Sequence, residues 1–123
     1  MRLAYVNVFV TDLERAVAFY RDTLELEMQF VAPEHGYASF AAGSVRLGLA
    51  VAGPDQAALV GRHTGVGWEV ADLEAAHRRL AALGVAFPMP PTRQPWGGVM
   101  ALVADPDGNV HYLDQAAGER AER

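Results

Sequence analysis

The sequence predicts an α+β fold made of two successive β-α-β-β-β modules. Three observations carry that prediction. The chain resembles itself at an offset of about 60 residues, the kind of fixed period that marks a repeated supersecondary unit. In each copy a stretch of two-residue alternation gives way to helical spacing. After each helix come short apolar runs divided by Gly, Pro, Asp and His, which read as strands and turns.

The repeat aligns Val6-Asn7-Val8-Phe9-Val10-Thr11-Asp12-Leu13-Glu14-Arg15-Ala16 with Val66-Gly67-Trp68-Glu69-Val70-Ala71-Asp72-Leu73-Glu74-Ala75-Ala76. In the first copy Val6, Val8 and Val10 alternate with Tyr5, Asn7 and Phe9, as in a strand with two unlike faces. Thr11 followed three residues later by Glu14 reads as a capping box, and Leu13, Ala16, Val17, Tyr20 and Leu24 then recur at helical spacing. Strand gives way to helix at Thr11 or Asp12. In the second copy Asp72 can cap, Leu73, Ala76, Leu80 and Leu83 form the apolar stripe, and Gly84 supplies a left-handed terminus.

The strands expected after the helices cover residues 26–31, 37–41 and 45–51 in the first half and 85–88, 99–103 and 109–114 in the second. Asp105-Pro106-Asp107-Gly108 is a strong turn into the last strand. Module one then spans about 1–53, a connection about 54–63 and module two about 64–115. The tail, 116–123, is charged and rich in small residues, and is expected to fray.

Composition narrows the chemistry. The 123 residues are 51% hydrophobic, enough for one globular domain with a core. There is no cysteine, so disulfides, thiolate metal sites and cysteine nucleophiles are excluded. A formal charge of −5 with scattered arginines argues against a nucleic-acid partner. No apolar run approaches the length of a membrane helix and no signal-peptide pattern opens the sequence, so no membrane partner and a cytoplasmic location are expected.

The two modules, the segment Thr11-Asp12-Leu13-Glu14-Arg15-Ala16-Val17-Ala18-Phe19-Tyr20-Arg21-Asp22, and Trp96-Gly97-Gly98 followed by Asp105-Pro106-Asp107-Gly108-Asn109 resemble the vicinal oxygen chelate superfamily. That superfamily contains glyoxalases, bleomycin-resistance proteins and extradiol dioxygenases. The resemblance covers almost the whole chain and implies that the mixed sheets curl around a central cavity, where ligands bind and where the enzymes hold a divalent metal. It also implies a glycine where Glu25 stands. A left-handed Glu25 costs about 1 kcal/mol, or else the helix ends differently.

The resemblance further locates four metal-ligand positions, and these match Tyr5, Gly48, Gly65 and Tyr112. A catalytic site needs at least three His or carboxylate donors. Glycine offers no donor and a neutral phenol is a poor one, so the chain is identified as a metal-ligand-deficient member, with no cofactor expected. His111 neighbours Tyr112 on a strand and should point to the opposite face. His35, His63 and His77 are read as structural or surface groups.

The residues expected to bind ligand are Tyr5, Asn7, Phe9, Arg46, Gly48, Glu69, Trp96 and Tyr112. The tyrosines and Phe9 offer flat apolar walls; Asn7, Arg46 and Glu69 offer oriented polar contacts, with an Arg46–Glu69 pair conceivable. Residues 89–98 read as an irregular, proline-stiffened loop that carries Trp96. The function expected is metal-independent binding of a small, largely apolar or aromatic molecule, as in bleomycin-resistance-like sequestration, by a homodimer. Its rival is a metal-dependent lyase, isomerase or dioxygenase whose ligands are displaced to Glu69 or His111. Acid–base catalysis by Glu69 alone and a ligand-free structural dimer complete the set, and no catalytic residue is assigned.

Overall fold

The computed structural model describes residues 1–117; most of the tail expected to fray, 118–123, lies outside the described residues. The chain divides into two units, Met1–Arg62 with Pro106–Asn109, and His63–Asp105 with Val110 onward. Each unit carries an open four-stranded mixed sheet with a helix, so the α+β class holds.

In the first unit β1 (Tyr5–Val10), α1 (Leu13–Ala18), β2 (Met28–Ala32), β3 (Tyr37–Ala42) and β4 (Val45–Val51) follow in sequence. The sheet order is β1-β4-β3-β2, with β1 and β4 parallel and the other pairs antiparallel. The valine alternation explains β1: Val8 and Val10 are buried while Tyr5 and Asn7 on the other face are exposed. Leu47, Leu49, Ala38 and Phe40 are buried with them, as are Ala16 and Val17 of α1, which packs on β3 and β4. Burying a leucine such as Leu49 contributes about 2 kcal/mol.

The capping box is not formed. Asp12 is the N-cap, its Oδ1 accepting from the Arg15 amide at 3.0 Å. Thr11 is drawn away instead, since its hydroxyl donates to Asp107 Oδ1 at 2.6 Å and its amide to Asp107 Oδ2 at 3.0 Å. Nor does α1 run regularly to Leu24. After Ala18 it widens into π-type turns over Phe19–Thr23, with the Leu24 amide donating to Phe19 O at 2.9 Å. The wider turn accompanies a fully buried Tyr20, set edge-on to Phe19 with ring centroids 5.2 Å apart. Glu25 follows at φ 62°, the left-handed position normally suited to glycine.

The second unit repeats the plan with β5 (His63–Val70), α2 (Leu73–Ala82), β6 (Met89–Arg93), β7 (Val99–Ala104) and β8 (Val110–Gln115). Its order is β5-β8-β7-β6, with β5 and β8 parallel. Asp72 caps α2 through the Ala75 amide at 3.0 Å, and Gly84 has φ 86°, both as expected. Leu73 and Leu80 are buried, but Leu83 of the expected stripe is 62% exposed.

The strand expected at 85–88 lies at Met89–Arg93 instead, within the stretch read as a loop. Pro90 and Pro91 lack amide protons, so a central strand would exclude them. An edge strand does not: β6 pairs with β7 alone, and its register shifts between Met89 and Thr92.

Candidate functional site

The face of the first sheet turned away from α1 collects five of the residues singled out from sequence. Parallel register sets Tyr5 beside Arg46, Asn7 beside Gly48 and Phe9 beside Ala50, so Tyr5, Asn7, Phe9, Arg46 and Gly48 share that face. Arg46 finds its partner locally, its guanidinium lying 5.5 Å from the centroid of the half-exposed Tyr5 ring. Such a cation–π contact is worth about 0.5–1 kcal/mol at an exposed site.

Gly48 is the tightest point of this face. Antiparallel register puts Ser39 opposite Gly48, and Tyr37, two residues earlier on β3, leans over it. The Tyr37 hydroxyl donates to Asn7 Oδ1 at 2.8 Å, and a Cβ on Gly48 would collide with both atoms of that bond. The glycine is what leaves room for the Asn7–Tyr37 bridge. Sequence reasoning missed Tyr37, although alternation along β3 places it on the same face as Ser39. Phe30 flanks it, the two ring centroids 6.1 Å apart.

The second sheet also has an open face. Gly67 sits opposite Tyr112 and Glu69 opposite Asp114. Glu69, Tyr112 and Asp114 line a cleft of about 530 Å³ with Trp96 and Met100. Trp96 is 73% exposed at the tip of the β6–β7 hairpin, which is closed by the Gln94 amide donating to Gly98 O at 2.7 Å. Burial, reinforced by the neighbouring Glu69 charge, raises the Asp114 carboxyl above the usual carboxylate range. Asp114 was not foreseen, yet it lies two residues beyond Tyr112 and so on the same strand face.

His63 was assigned to the connection between modules, but it opens β5. Its Nδ1 accepts from the Gly65 amide at 3.0 Å, and its ring stands edge-on to Tyr112 with centroids 4.6 Å apart. Gly65 has φ 76° at an irregularity in the β5–β8 register, which lets the strand fold His63 back beside Tyr112. His77, on α2, is edge-on to Phe87 at 4.6 Å.

His111 is fully buried on the face opposite Tyr112, as its neighbouring position predicts. The Trp68 indole N–H donates to its Nδ1 at 3.2 Å. Burial pushes its pKa down to about 4, against a smaller opposing pull from Asp105, so the ring is neutral at physiological pH. A larger groove of about 720 Å³ runs along α1 between Val17, Val31 and Val51, and none of the residues expected to bind ligand lines it.

The donors at the four mapped positions do not suit a divalent metal. The Cβ space of Gly48 is filled by Tyr37 and Asn7, Gly65 carries no side chain, Tyr5 lies under a cation, and Tyr112 packs on His63. Among the described residues no group of three or more His, Asp or Glu gathers as a metal site would require. No helix among them is long and apolar enough to cross a membrane.

A family model described as the Glyoxalase/Bleomycin resistance protein/Dioxygenase superfamily matches residues 2–111. Among solved structures, the chain is 27% identical to a superfamily member from Sphaerobacter thermophilus DSM 20745, covering 94% of this chain and 98% of that one with a TM-score of 0.82. It is 31% identical to TnmS3, an antibiotic binding protein from Streptomyces sp. CB03234, over 95% of this chain and 97% of that one with a TM-score of 0.80. A lactoylglutathione lyase from Agrobacterium tumefaciens shares 23% identity over 94% and 93% of the two chains with a TM-score of 0.76, a likeness of fold. With nearly the whole chain matched and both sheets in place, the protein belongs to the glyoxalase/bleomycin resistance protein/dioxygenase superfamily.

Proposed function

We propose that this chain binds a small, largely apolar or aromatic molecule on its open sheet faces without a metal, and sequesters it rather than transforming it. The observation that carries the reading is Gly48, where the space of a ligand side chain is occupied by the Tyr37–Asn7 hydrogen bond. Each open face is aromatic by itself, with Tyr5, Tyr37 and Phe30 on the first sheet and Tyr112 and Trp96 bordering the cleft of the second, and each offers few polar handles, as small-molecule sites generally do. Likeness to an antibiotic binding protein at 31% identity supports the same class. A homodimer in the cytoplasm belongs to this proposal.

Calorimetric titration against planar antibiotics and aromatic metabolites, with tryptophan quenching in parallel, tests it. Saturable binding by metal-stripped protein is expected. No binding across a broad panel would remove the reading.

The rival, a metal-dependent enzyme with displaced ligands, draws on one observation, the neighbouring carboxylates Glu69 and Asp114. Elemental analysis separates the two. Stoichiometric Zn, Ni, Mn or Fe that is lost on Glu69→Gln or His111→Gln would replace the binding reading with the enzymatic one, whereas metal-free protein that binds ligand supports sequestration.

A further inference from the structure

The charge of the ligand can be inferred from the second sheet. We propose that the cleft bounded by Glu69, Asp114, Tyr112 and Trp96 takes the cationic nitrogen of an organic molecule, a protonated amine or amidinium joined to a planar apolar body. This rests on the binding reading above and narrows it to a charge class.

Glu69 and Asp114 stand side by side on parallel neighbours β5 and β8, on the face that carries Tyr112. Gly67, two residues before Glu69 and opposite Tyr112, adds no side chain beside them, and a Cβ there would lie 3.7 Å from Asp114 Oδ2 and 3.8 Å from Tyr112 Cβ. The ion pairs Arg15–Asp107 and Arg21–Asp22 involve neither cleft carboxylate. Arg93, the base of the adjoining hairpin, is turned back to its own backbone, its Nη1 donating to Gly97 O at 3.2 Å.

Two carboxylates held together without a cation repel one another: the Asp114 carboxyl is raised chiefly by burial and further by the Glu69 charge. A positive ligand group between them relieves it. The aromatic part of the cleft favours the same sign, because the faces of indole and phenol rings attract cations. Trp96 is mostly exposed and borders the cleft, so its ring is available to a ligand. At about 530 Å³ the cleft exceeds what one ammonium group needs and suits a larger body attached to it. A hydrated divalent ion is the poorer occupant, since the wall of Tyr112, Trp96 and Met100 is mostly apolar and offers its water shell few acceptors.

Three acridines of one shape test the inference at neutral pH: 9-aminoacridine, a cation; acridine, neutral; and acridine-9-carboxylate, an anion. Titration of the full chain should show the cation binding about tenfold more tightly than the neutral compound, with the anion weakest. Glu69→Gln and Asp114→Asn should each reduce that preference to about threefold or less while leaving acridine itself unaffected. Glu69 is exposed, so Glu69→Gln folds normally, and loss of the preference at high salt gives a check on unaltered protein. Equal binding of all three acridines, or a preference intact in both variants, would overturn the cation subsite and leave ligand binding standing. Magnesium or calcium chloride binding alone and displacing the dye would overturn it in favour of a metal. If none of the acridines binds, the subsite is wrong, and a failed antibiotic panel as well would remove the binding reading with it.

Discussion

The Thr11 hydroxyl donates to the Asp107 carboxylate at 2.6 Å although 96 positions of sequence separate them. Asp107 also accepts from the Thr11 amide at 3.0 Å and from Arg15 Nη2 at 2.8 Å, and its side chain is only 7% exposed. Asp107→Ala strips the partner from a backbone amide, a hydroxyl and a guanidinium at once and should cost about 2–3 kcal/mol. Thr11→Val keeps the amide bond and should cost about 1 kcal/mol. Arg15→Ala, with its side chain 51% exposed, should cost less than about 1 kcal/mol. Urea unfolding gives the order; equal losses in all three would sink the account.

His111 predicts an acid weakness. Its folded pKa of about 4 lies below the ordinary 6.5, so between those values the unfolded chain binds the proton and the folded one does not. Stability from this group is complete above pH 6.5 and is lost as pH falls toward 4, the total being on the order of 3 kcal/mol. Unfolding curves from pH 7 to 4 should show a steeper decline for the parent chain than for His111→Gln. Parallel declines would show that the ring does not stay neutral.

The glycines of the open faces should differ in kind. Gly48→Ala forces Tyr37 and Asn7 apart and should cost about 1–3 kcal/mol. Gly67→Ala meets only ordinary contacts, the nearest at 3.7 Å, and should be close to neutral. Thermal midpoints compare them. A Gly48→Ala variant as mild as Gly67→Ala would mean that the Asn7–Tyr37 bridge moves aside freely.

Much of this was legible because periodicity is local. Val6 to Val10 and Leu73 to Leu80 declare their elements through spacing alone, and the shared face of Tyr5, Asn7 and Phe9 follows from the two-residue period of a strand. What escaped was set by partners far along the chain. Thr11 has the composition of a cap, but Asp107 competes for its hydroxyl and Asp12 takes the role. Pro90 and Pro91 read as loop until it is known that β6 is an edge strand. Tyr37 and Asp114, and the place of His63 at the start of β5, escaped because their contacts are made with strand neighbours distant in sequence.

Trp96 and Trp68 should report differently on ligand. Trp96→Ala removes an exposed side chain and should change stability by less than about 0.5 kcal/mol while weakening binding of an aromatic ligand about tenfold. Ligand quenching should persist in Trp68→Phe and largely vanish in Trp96→Phe. Quenching carried by Trp68, whose indole N–H is engaged by the buried His111, would move the ligand off the cleft.

Residues 106–109 complete the first unit, yet they are translated after β5, α2, β6 and β7. Asp107 secures the start of α1, and the Asn109 side chain bridges Phe9 O and the Gly61 amide at 2.9 and 2.8 Å. On the ribosome, then, the half made first is completed only shortly before the second: it waits for nearly the whole polypeptide to emerge before its last clasp arrives. A messenger truncated after codon 62 would yield a sheet without its fastening, so the boundary of the repeat is not the boundary of the first unit.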